Sequence, residues 1–154
     1  MSNSSTYLSE LAAASAALQK VLGAIIERER RYAPGRSPLA LFNEITTDPE
    51  WVWLQPLLRL IADIDHALDD KELPATEVAA IGAHARALLS GAGAPIEQQF
   101  LERYRALLPE PDIAIVHAAA LQALRKLPAE PDSEAERLHA HHQWAMRRKH
   151  RLQS

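Results

Sequence analysis

The chain of 154 residues contains no cysteine, which excludes a disulfide framework, a thiol nucleophile, a thiolate-bound zinc and an iron–sulfur cluster. Glycine is scarce, at five residues, and no Gly-rich phosphate loop is present: Gly91-Ala-Gly93 lacks the preceding strand and the Lys-Ser/Thr that such a loop requires. There is no Gly-x-Ser-x-Gly elbow. Only 5% of residues are aromatic, and the formal net charge is −3, so the whole chain is no polycation built to coat nucleic acid. No run alternates with period two and is rich in β-branched residues, which argues against strands. Long apolar runs are also lacking. Leu8 to Ile26 is the nearest to one, but Glu10, Ser15, Gln19 and Lys20 interrupt it, where a membrane span wants about 20 nearly uninterrupted apolar residues. Met1 to Glu10 has no Lys or Arg, so a secretory signal is not expected either. The expectation is a cytoplasmic protein without membrane contact.

What is present is helical periodicity punctuated by ten prolines. Leu11, Ala14, Leu18, Val21 and Ile25 recur at 3,4,3,4 spacing and share one face of a helix expected from Tyr7 to Tyr32, which Pro34-Gly35 stops. Ser37-Pro38 opens a short helix to Ile45, with serine as cap and proline where its missing N–H costs nothing. Asp48-Pro49-Glu50 is a further start signal, followed by the stripe Leu54, Leu57, Ile61, Ile64, Leu68. Pro56 inside that segment predicts a kink, or a short helix 49–54 followed by a second from 56 to about 69. Val78, Ile81, Ala85 and Leu88 mark another helix from Thr76 to Ser90-Gly91. After a Gly91–Ala94 joint, Pro95 opens a helix with Ile96, Phe100, Tyr104 and Leu107 inward. Pro111-Asp112 opens the next, to about Leu127. Its near-absence of polar residues predicts a central, buried helix.

Pro128 to Asp132 reads as a semi-rigid linker, and Ser133 with Glu136 as the capping box of a last helix. The expected architecture is therefore all-α: an up-and-down bundle of four to six helices over residues 6–127, preceded by a disordered stretch 1–5 and followed by a separate basic helix, 133–154. Charge is split between these parts. Residues 137–154 carry five basic residues and no acid, and 1–136 carry 12 basic against 20 acidic. Four of the seven histidines also lie in the tail.

Few residues suggest chemistry. Glu136, His139 and His142 have the i, i+3 spacing by which bundles present metal ligands, and Asp63-x-x-His66 is a weaker analogue. A di-metal centre needs two such motifs and two more glutamates. On a helical wheel, moreover, Asp63 and His66 fall opposite the Leu54/Ile61/Leu68 stripe and are expected to face water. His117 is expected at the edge of the core. Trp53 is expected in the core and Trp51 half-exposed, because residues i and i+2 cannot both point inward. The cluster Trp144, Arg147, Arg148, Lys149 and Arg151 offers a salt-sensitive, sequence-blind grip on phosphates. Equally, it offers a basic helix that folds back on the acidic body. Trp51 is the remaining candidate for a partner contact. No cofactor is expected and no catalytic set is visible.

The stretch Asp48-Pro-Glu-Trp-Val-Trp-Leu-Gln-Pro-Leu-Leu-Arg-Leu-Ile-Ala-Asp-Ile-Asp65 resembles a segment of short uncharacterised bacterial helical proteins, which share Asp-Pro, a tryptophan, Leu-x-Pro-Leu and Leu-Ile followed by Asp in this order. The resemblance extends over roughly residues 28–127 and implies no activity, cofactor or catalytic residue. These features lead to the expectation of a non-enzymatic protein-interaction or regulatory module, bound to a protein partner or to itself. A metal- or ligand-binding bundle and nucleic-acid contact through the tail are the alternatives.

Overall fold

The computed structural model describes the backbone of residues 2–32, 49–90 and 98–153. Among the described residues six α-helices make an all-α bundle and no strand occurs. They are α1 (Ser2–Tyr32), α2 (Gln55–Ala67), α3 (Ala75–Ser90), α4 (Gln98–Leu107), α5 (Pro111–Arg125) and α6 (Glu134–Gln153). A 3-10 helix, Pro49–Leu54, precedes α2. The expected short helix Pro38–Ile45, the Gly91–Ala94 joint and the side chains of Trp51 and Arg151 lie outside the described residues.

Helix α1 is the spine. All five residues of its predicted stripe, Leu11, Ala14, Leu18, Val21 and Ile25, are fully buried. They pack against α2 and α5. Burying the four larger ones, Leu11, Leu18, Val21 and Ile25, removes apolar surface worth about 1.5–3 kcal/mol each, before the cost of ordering the chain. The helix starts at Ser2, five residues ahead of the expected Tyr7. One polar tie crosses the apolar seam: the Ser15 hydroxyl donates to Asp65 of α2 at 2.5 Å.

Pro56 divides its segment rather than kinking a continuous helix. The chain runs as a 3-10 helix to Leu54, and Pro56 then stands in the first turn of α2. At that position proline's missing N–H removes no helical hydrogen bond. Leu57, Ile61 and Ile64 bury as the stripe predicted, joined by Leu60 and Ala67.

Helix α3 is buried on two sides. Val78, Ile81, Ala85 and Leu88 face the core, and Glu77, Ala79, Ala80, Gly82 and Leu89 are also covered. A Cβ on Gly82 would stand 3.0 Å from the Leu127 side chain, so the absence of a side chain here lets the end of the α5 segment close onto α3. That closeness offsets the helix propensity lost with glycine, roughly 1 kcal/mol relative to alanine.

Helix α5 is not the central helix its composition predicts. Only Ile113, Ala120 and Leu124 are buried. Ile115 is 68% exposed, and Ala114, Ala118 and Ala119 also face out. Small apolar residues expose little area each, and scattered apolar surface is ordinary on folded proteins. Lack of charge was therefore a weak sign of burial.

An aromatic ladder links the 3-10 helix to α5. Trp53 is buried and stacks on Phe100, Phe100 stacks on Tyr104, and Tyr104 meets His117. The Tyr104 hydroxyl lies 2.7 Å from His117 Nδ1. Burial pushes the Tyr104 pKa up, so the phenol keeps its proton and is the donor. Burial pushes His117 below the ordinary histidine value, which favours the neutral ring that accepts that proton.

The sign of the resulting pH dependence follows from linkage. The unfolded chain takes up a proton near the ordinary histidine pKa of about 6.5, whereas folded His117 resists it until lower pH. Its contribution is therefore present above that value and is lost as pH falls. Chemical denaturation of wild type and His117→Asn between about pH 7.5 and about pH 5 is expected to show a steeper loss in wild type, since asparagine can accept the Tyr104 hydrogen bond without titrating. Equal slopes would contradict this assignment.

Candidate functional site

The densest charged arrangement lies between α6 and the body, on α2, α3 and the loop joining them. Helix α6 is rich in polar residues, and among its described side chains Ala140 and Trp144 are the buried ones. These stand four apart and so share a face. Its N-terminus is capped as expected, with the Glu136 N–H donating to Ser133 Oγ. The same face carries Arg147 and Arg148 into the acidic side of α2 and α3.

Arg147 is the centre of the contact. Its Nε and Nη2 donate to the two carboxylate oxygens of Glu77 at 3.2 and 2.9 Å, a bidentate fork. Its Nη1 donates to Asp70 Oδ2 at 2.6 Å. Glu77 is only 3% exposed, whereas Arg147 keeps about a third of its side-chain surface in water. The Glu77 hydrogen bond is the largest cause of an upward shift in the Arg147 pKa, with attraction to Glu77 and Asp70 adding to it against partial burial. Arg148 makes the second pair, with Nε 2.7 Å from Asp63 Oδ2. Its guanidinium also lies 4.9 Å from the centre of the Trp144 ring. His84 of α3 meets Trp144 edge-on at 5.2 Å. Trp144 is thus held between a cation from its own helix and an imidazole from the body.

Asp63 corrects an expectation. The helical wheel put it opposite the core stripe and hence in water, yet it is 4% exposed. The direction was right. What the wheel could not show is that α6 covers that second face of α2. His66, one turn on, does remain exposed. A cavity with room for about one water, near 10 Å³, lies among Asp63, His66, Ala67, Trp144, Arg147 and Arg148. Beside it an open cleft of about 360 Å³ runs along His66, Asp69, Asp70 and Arg147.

The other expected site residues are not brought into one place. Glu136, His139 and His142 are exposed on α6, and among the described residues no group of three or more His, Asp or Glu side chains converges as a metal site would require. His141 pairs instead with Glu130. Lys149 is exposed. His117 is bound to Tyr104 as described, and Ser133 is spent as a cap, so neither is poised as a base or nucleophile. Asp70, Glu77 and His84 belong to no sequence motif, and Asp63 enters one only through its spacing to His66. The one signal for them was charge: an acidic body beside a basic tail.

No family model, no curated protein and no solved structure matches the chain.

A double-mutant cycle measures the fork. Arg147→Met, Glu77→Gln and the double variant, compared by chemical denaturation, are expected to give a coupling of about 1–3 kcal/mol, in the range for contacting charged groups. A coupling indistinguishable from zero would show that the pair is a surface contact without energetic consequence.

Proposed function

We propose that the protein is a non-enzymatic interaction module whose working surface is the acidic groove of α2 and α3, and whose ligand is a basic amphipathic helix. The observation that carries this reading is the mode by which α6 is held. One aromatic anchor, Trp144, is enclosed, and two arginines beside it engage enclosed carboxylates, Glu77 at 3% and Asp63 at 4% exposure. That is helix-in-groove recognition, in which an apolar anchor supplies affinity and charges fix register. Here it is made within one chain.

The same geometry favours this reading over nucleic-acid contact. Arg147 and Arg148 supply two of the five tail cations and are engaged by carboxylates. A phosphate backbone would have to displace those pairs first. Metal binding draws no comparable support, because its expected ligands stand apart on the exposed face of α6. For location we infer the cytoplasm. The segment Tyr7–Glu29 of α1 is long and apolar enough to cross a membrane by length and composition, but its apolar stripe is spent on the core of the bundle.

A peptide spanning residues 134–153 tests the recognition directly. In full-length Arg147→Glu/Arg148→Glu protein the chain's own helix is repelled from the groove, which leaves the groove open. The labelled peptide is expected to bind this variant and to weaken as salt rises, because the contact is largely charged. It is expected to bind wild type far less, since the groove there is filled. No binding to the variant, with α1–α5 folded by circular dichroism, would overturn the proposed function.

A further inference from the structure

The way α6 is attached shows where it would open. Leu127 is anchored to the body: it is 5% exposed and packs at Gly82, and Arg86 Nη1 donates to the neighbouring Leu124 carbonyl at 3.2 Å. Three residues later the chain belongs to α6. Glu130 pairs with His141, and Arg137 Nη1 donates to the carbonyls of Pro131 and Asp132 at 2.9 and 2.8 Å. The segment from Glu130 onward therefore moves with its helix, and the hinge is confined to Pro128 and Ala129. Proline fixes one backbone angle of that hinge, and Pro131 holds the residue before it extended. A short, stiff tether is poor at folding back, and short hinges favour exchange of an element between copies.

We propose that the groove of α2 and α3 also takes the α6 of a second copy of this chain, giving a dimer in which each C-terminal helix lies across its partner. This rests on the proposed function above and names the occupant. Charge complementarity supports it, since the body of each copy is acidic and each tail basic. So does the small apolar area of the seat. With Ala140 and Trp144 as the buried apolar residues of α6, the helix can leave while the α1 core stays closed. The incoming helix meets identical partners: its Arg147 reaches Glu77 and Asp70, its Arg148 reaches Asp63, and its Trp144 sits against His84. Exchange thus changes no contact except at the hinge. A short flexible tether would hold its own helix at an effective concentration of about millimolar, and a stiff one holds it at less, so dimer forms as protein concentration rises towards that range.

The test uses the wild-type full chain. Sedimentation from micromolar to millimolar concentration is expected to show monomer passing to dimer. In a mixture of isotopically labelled and unlabelled copies, filtered NMR is expected to show Trp144 of one copy against His84 of the other. Deleting Pro128 and Ala129 shortens the tether and is expected to raise the dimer fraction at every concentration. Wild type that stays monomeric at millimolar concentration overturns the proposal. So does a dimer whose Trp144–His84 contacts all lie within single copies. If the free 134–153 peptide binds the open groove and no between-copy contact forms, the exchange is overturned and the groove reading stands. If the peptide also fails, both fall.

Discussion

Two carboxylates that have lost their water organise one side of this protein. Glu77 and Asp63 are almost entirely covered, and an ionised carboxylate so enclosed costs several kcal/mol unless it is compensated. Glu77 stands in the first turn of α3, where the helix dipole favours negative charge by roughly 0.3–1 kcal/mol. That is too little to offset the burial. The rest is supplied from 70 residues away by the planar fork of Arg147, which satisfies both oxygens at once. Asp63 has the charge of Arg148 beside it, as a single ion-pair contact at 2.7 Å rather than a fork. The position of α6 follows from this requirement more than from apolar area, since among its described side chains two, Ala140 and Trp144, are buried as hydrophobes.

The bundle beneath follows different physics. Its core is made by α1, whose buried stripe touches α2 and α5, and by the aromatic ladder from Trp53 to His117. Apart from the Tyr104–His117 hydrogen bond these contacts are apolar, and they are not screened by salt as ion pairs are. The protein thus joins a hydrophobic body to an electrostatically seated helix through a two-residue hinge. The proposed recognition through the groove requires this separation, since an element seated by charge is one that can leave without disturbing an apolar body.

The two layers were unequally legible in the sequence. Stripes at 3,4 spacing read directly, because the position of a residue around a helix depends on local geometry alone: every stripe residue of α1 is buried as expected, and so are Val78, Ile81, Ala85 and Leu88 of α3. The Ser133 cap and the division of the chain at Pro56 are equally local. What failed needed knowledge of neighbours. Asp63 was directed correctly, but which element lies over it is a tertiary fact. The composition of α5 reads as that of a buried helix, yet alanine is tolerated in water. The seat of α6 was half-visible, as an acidic body and a basic tail with folding back as one option. The partners Asp70, Glu77 and His84 were not, since no spacing links residues so far apart in the chain.

The central claim is that α6 is a seated ligand of the body rather than part of its core. Native-state hydrogen exchange resolved by residue tests this most directly. The account predicts that the amides of residues 138–149 exchange together through an opening smaller than global unfolding, that added salt speeds this exchange, and that the amides of α1 between Leu11 and Ile25 stay protected meanwhile. Exchange of α6 only with α1, at the free energy of global unfolding and unaffected by salt, would contradict it.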